Sequence, residues 1–121
     1  MPHCLLEASD NLLDHPDWKG LLGEVNQTLV ATGLFTADDI KSRAIQHAAF
    51  VIGDGAAEQA FVTLTVQILG GRTDDVKVQL SEALLETLKP AFPMTFEQMK
   101  FSLTVQITDI HRPSYRRHIS Y

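Results

Sequence analysis

Phe61-Val62-Thr63-Leu64-Thr65-Val66-Gln67-Ile68-Leu69 alternates apolar and polar side chains. A period of two puts Val62, Leu64, Val66 and Ile68 on one face of a strand, and Thr63, Thr65 and Gln67 on the other. The pattern returns in Phe101-Ser102-Leu103-Thr104-Val105-Gln106-Ile107. Between the two strands the spacing changes. Gly70-Gly71-Arg72 ends the first strand, and Thr73 is a good N-cap with Asp74 and Asp75 in the following turn. Val76, Leu80, Leu84 and Leu88 then mark a helix face, which Pro90 and Pro93 close. This is a β-α-β unit.

A similar unit precedes it. His3 to Glu7 reads as a strand, broken by the turn formers Ser9-Asp10-Asn11. Trp18, Leu21, Leu22, Val25 and Leu29 predict a helix over about residues 16–32, with Pro16 and Asp17 in its first turn and Gly33 as its stop. Ala44 to Ile52 is the expected second strand, and Gly53-Asp54-Gly55 the turn leading out of it. The expected fold is α+β: one domain over 1–121, with repeats at 2–52 and 60–110 and a tail at 111–121. Right-handed crossovers place both helices on one face of a four-stranded mixed sheet. The other face is left partly apolar, which predicts an oligomer.

The chain has 121 residues, 45% hydrophobic and 21% charged, which suits one globular domain and excludes collagen and coiled coil. Apolar runs are too short for a transmembrane helix. No Lys or Arg precedes Lys19, so the basic region of a signal peptide is missing. Cys4 is the one cysteine, and no disulfide framework or Cys-rich zinc site follows. A reducing, cytoplasmic setting is the expectation. The net charge of −5 argues against nucleic-acid binding. Yet Arg112, Arg116 and Arg117 crowd the last residues, whereas residues 1–110 hold 7 basic and 15 acidic side chains. Such a tail could dock on its own fold, dock on a neighbouring subunit, or bind an anion.

Two kinds of residue carry candidate chemistry. With Met1 trimmed, as is normal before proline, Pro2 has a free secondary amine at a strand start. An α-amino group begins near pKa ~8, and an apolar pocket or nearby cations lower it toward neutrality. A general base works best near the operating pH. With Met1 attached, Pro2 is an amide and no base. Arg72 could hold a substrate carboxylate or be a solvated strand-end residue. Lys41 could likewise hold a substrate carboxylate, and Arg43 is the third expected substrate-binding residue; two apart, Lys41 and Arg43 point the same way from a strand and could instead be a surface charge pair. The five histidines show no metal-ligand spacing, so no metal is expected. Cys4 reads as core, and Gly53-Asp54-Gly55 as a turn, not a phosphate loop.

The start Met1-Pro2-His3, with Glu7, Ser9-Asp10-Asn11, Val25-Asn26, Ala31-Thr32-Gly33-Leu34-Phe35, Ile40-Lys41-Ser42-Arg43 and Gly70-Gly71-Arg72, resembles the 5-carboxymethyl-2-hydroxymuconate isomerase family of the tautomerase superfamily. The similarity spans about residues 2–110 in one order of elements. It implies a duplicated β-α-β fold, a homotrimer, and no cofactor. It also implies Pro2 as general base and Arg72 as a substrate-site arginine. Lys41 stands where the family has arginine, which keeps the charge and loses the planar fork. Arg43 matches a second basic position. The implied reaction is ketonisation of a dienol bearing two or more carboxylates, in hydroxyphenylacetate breakdown. Two alternatives stand beside it: a tautomerase-fold enzyme for another keto acid, and a non-catalytic trimeric module binding an anion or partner through Arg112, Arg116 and Arg117.

Overall fold

The structure is a computed structural model describing residues 1–121. Its sheet has the order β2-β1-β3-β4, formed by β1 (His3–Ser9), β2 (Lys41–His47), β3 (Gln59–Leu69) and β4 (Lys100–Ile110). β1 pairs parallel with β2 from His3↔Lys41 to Ser9↔His47, and β3 pairs parallel with β4 from Gln59↔Lys100 to Leu69↔Ile110. The two units meet antiparallel at β1 and β3, with His3 opposite Gln67. Helices α1 (Trp18–Ala31) and α2 (Asp74–Leu88) cross between the paired strands.

The alternation in β3 is the basis of the core. Val62, Leu64 and Val66 are wholly buried, together with Cys4, Leu6 and Ala8 of β1. Leu21, Val25 and Leu29 of α1 and Leu80, Leu84 and Leu88 of α2 close over them. The opposite sheet face has no helix on it. Thr104 bonds to Thr63 there at 2.9 Å, His47 Nε2 meets Glu7 Oε2 at 2.8 Å, and Ile45 is 48% exposed.

Two expectations are corrected, and one element is added. β2 covers Lys41–His47 and not 44–52, because it is built on β1 and ends where β1 ends at Ser9↔His47. Phe50 leaves the sheet and packs edge-on against Phe61 at 6.1 Å, while Val51 is 74% exposed. α1 begins at Trp18, since Asp17 keeps an extended backbone and serves as the N-cap, with Pro16 outside the helix. A short helix α3 (Pro93–Gln98) follows α2 and was not expected. Its cap is distant in sequence: the Asp14 carboxylate accepts from Met94 N at 3.2 Å and Thr95 N at 2.8 Å. Burial pushes the Asp14 carboxyl up, but these bonds and the one from the Thr95 hydroxyl hold it below the usual carboxylate range.

Other local signals act as read. Gly33 takes φ +78 just past α1, and Gly53 and Gly55 take positive φ in the turn after β2. Thr73 caps α2 by accepting from Val76 N at 3.4 Å. Replacing Thr73 by Ala should lower stability by about 1 kcal/mol. A urea midpoint unchanged by Thr73→Ala would show that the cap contributes nothing.

Candidate active site

Both chain termini meet at one end of the sheet. Pro2 is buried, and its carbonyl accepts from Lys41 N at 3.1 Å, which fixes the strand start against β2. Met1 reaches over it, and its amine donates to Asp39 O at 2.8 Å. From the other terminus, the segment after β4 folds back. Tyr115 Oη lies 3.3 Å from His3 Nε2, Arg117 pairs with Asp39 at 3.2 Å, and the Tyr121 hydroxyl lies 3.1 Å from Lys41 Nζ. The segment that carries the basic tail thus docks on its own fold, and it brings Arg112 and Arg117 to the same end of the sheet.

Together these elements enclose a cavity of about 370 Å³. Leu34, Phe35, Ile68 and Leu69 make its apolar wall; Arg72, Arg112 and Arg117 bring three guanidiniums. Met1, Asp39 and Tyr115 complete it. Arg72 lies over the Phe35 ring at 5.6 Å and makes only a long bond, 3.4 Å, to Leu34 O. Such stacking holds the guanidinium plane and leaves its donors turned to solvent or ligand.

The expected site residues separate into two groups. The cavity brings Arg72 together with the start of the chain. Lys41 stands beside it with its ammonium engaged by the carbonyls of Asp38 and Asp39. Since Asp39 O accepts from both Lys41 Nζ and the Met1 amine, the two cations are close neighbours. Arg43 lies outside the lining, on the open sheet face, with Nη1 3.3 Å from His3 Nδ1. A guanidinium only donates, so His3 carries its proton on Nε2 and donates to Tyr115. Arg43 thus reaches the cavity through His3 and Tyr115.

Charge at this end shapes its acid–base behaviour. Burial lowers the Met1 amine below its ordinary pKa; Asp39 opposes this, and Lys41 and Arg117 reinforce it. The hydrogen bonds from Arg117 and Thr36 hold the Asp39 carboxyl below the usual range. Burial lowers the His3 imidazole, with the Arg43 charge adding to it. The result is a basic, partly apolar pocket with a weakly basic amine at its edge. Phe35 and Tyr115 join the lining with no chemical signal in the sequence, and Arg112 and Arg117 are expected there only under the anion-binding alternative. The clustered arginines after residue 110 were the one available signal.

The fold is that of the tautomerases. The solved structure described as "Q0 fused 4-OT wild type symmetric trimer" matches it with a TM-score of 0.69 at 21% identity, covering 89% of this chain and 85% of that one. Closer likenesses narrow the class. Residues 2–119 match the family model for 5-carboxymethyl-2-hydroxymuconate isomerase. The Escherichia coli 5-carboxymethyl-2-hydroxymuconate Delta-isomerase is 35% identical over 111 residues, 92% of this chain and 88% of that protein. A crystal structure of a 5-carboxymethyl-2-hydroxymuconate isomerase from Deinococcus radiodurans R1 has a TM-score of 0.90 at 30% identity, covering 98% of this chain and 90% of that one. The chain belongs to the 5-carboxymethyl-2-hydroxymuconate isomerase family, and is an isomerase of the tautomerase superfamily.

Proposed function

We propose that this isomerase ketonises a dienol bearing two or more carboxylates, such as 5-carboxymethyl-2-hydroxymuconate, within hydroxyphenylacetate breakdown in the cytoplasm. The observation that carries the reading is a guanidinium-lined cavity walled in part by Met1, whose neighbour in the chain is the buried Pro2. With Met1 removed, the Pro2 nitrogen becomes a secondary amine in the surroundings that now lower the Met1 amine. Neutral Pro2 takes the proton of the enol hydroxyl. The electrons move along the diene, and the same proton returns to a carbon farther along the chain. Arg72 holds a carboxylate and stabilises negative charge on the dienolate. Burial, reinforced by the Lys41 charge, favours the neutral amine, and Arg43 holds the His3–Tyr115 wall. Every step uses groups of the protein itself.

The whole chain acts as one tautomerase-like domain of two β-α-β units, and three copies bury the open sheet faces. The relative described as a symmetric trimer supports this assembly. A non-catalytic anion-binding module is the second reading, favoured by the two tail arginines at the cavity. Trimmed protein, with its mass verified, should be assayed against a panel of dienols and enolised keto acids. Loss of the dienol absorbance, fastest for the multiply carboxylated members, is expected, with a trimeric mass by light scattering. Trimmed trimer that turns over none of the panel would return the chain to the second reading.

A further inference from the structure

Arg112 and Arg117, two guanidiniums of the cavity, have no part in the mechanism above. Arg112 follows β4, and its Nε donates to Gly70 O at 3.0 Å. That bond uses one of the five guanidinium donors and leaves four. The guanidinium packs against the neighbouring turn. Gly71 has φ +123, and a Cβ at that position would lie 3.9 Å from Arg112 Nη2. The Gly70-Gly71 turn therefore seats Arg112 and presents Arg72 at the same cavity. Arg117, the third guanidinium, is neutralised by Asp39, whereas neither Arg72 nor Arg112 is ion-paired. Two unpaired cations thus share a pocket whose remaining wall is largely apolar. That combination fits a ligand with two separated anionic groups and a hydrocarbon stretch between them.

We propose that Arg112 is a specificity-determining residue: with Arg72 it grips two different carboxylates of one unsaturated substrate, so that dicarboxylates are preferred to monocarboxylates. The conjugated chain between them lies against Leu34 and Phe35. This rests on the reading of the cavity as the substrate site. Its test separates the two. cis,cis-Muconate and sorbate are six-carbon dienes with two carboxylates and one, and neither carries an enol to react. Titration calorimetry on the assembled protein should show tighter binding of muconate. Arg112→Gln should weaken muconate binding about 10- to 100-fold, the value of one charge-assisted contact, and leave sorbate unchanged. Arg112→Lys should recover part of the loss, as charge without the fork does. Far-UV circular dichroism and light scattering confirm that each variant is folded and assembled. Muconate bound no better than sorbate by the wild type, or equal losses for both ligands in Arg112→Gln, overturns the proposal. Dienol turnover by the wild type together with either result leaves the isomerase reading standing and removes only Arg112. Selective muconate binding without any turnover does the reverse.

Discussion

Chains that keep Met1 should process a carboxylated dienol about 10²–10⁴-fold more slowly, in kcat/KM, than chains that begin at Pro2. With Met1 in place the Pro2 nitrogen belongs to an amide and has no useful basicity. Met1 also lines the cavity, and its amine is held by Asp39 O, so it displaces substrate as well as blocking the base. Comparing both forms, each checked by intact mass and for trimer formation, measures the two effects together. The Pro2→Ala protein is a weaker test, because its trimmed form still ends in a primary amine. The pH profile gives an independent reading. A base must be neutral, so kcat/KM should fall as pH drops through the amine's pKa. At this end of the sheet burial first, then the Lys41 and Arg117 charges, outweigh Asp39 and hold the Met1 amine below its ordinary value; the same surroundings should set the Pro2 inflection below the ordinary α-amino value. Undiminished turnover by assembled, Met1-bearing protein would sink the proline mechanism.

Arg72→Ala should lose about 1.5–3 kcal/mol of binding to dicarboxylates, roughly 10- to 150-fold, with little change in folding stability. The side chain is exposed and holds its place by stacking on Phe35 and one long bond, so its removal opens no cavity in the core. Such surface changes stay within about 0.5 kcal/mol. Urea denaturation measures the second quantity and muconate titration the first. A parallel loss in both would make Arg72 a structural residue. Unaltered affinity would take it out of the site.

The parts of the fold that could be read ahead are those whose signals are local. β3 and β4 announce themselves by alternation, α2 by Thr73 and its leucines, and the end of α1 by Gly33. The errors come where a distant partner decides. β2 is displaced toward Lys41 because β1 dictates its register, and the apolar Phe50-Val51-Ile52 belongs to a loop. α3 is capped by Asp14, from across the chain, and its one local sign, Pro93 at the first helical position, reads equally well as the stop of α2. The cavity follows the same rule. Arg72 could be picked out beside its glycine turn. Its convergence with Phe35, Arg112, Tyr115 and Arg117 depends on where β4 ends and on a segment folding back, and spacing alone encodes neither.

The antiparallel meeting of β1 and β3 gives the sheet two matching ends, one at His3 and one at Gln59. Geometrically they are counterparts; chemically they are not. Before Gln59 the chain runs on through Glu58, at φ 61, so the nitrogen there is tied up in a peptide. Only the His3 end stands next to a terminal amine. Duplication has thus doubled the framework without doubling the reactive nitrogen. Under the proposed mechanism a reagent that alkylates the terminal amine should saturate at one equivalent per chain, and each half is left to evolve under a different constraint: one around a reaction, the other around a loop.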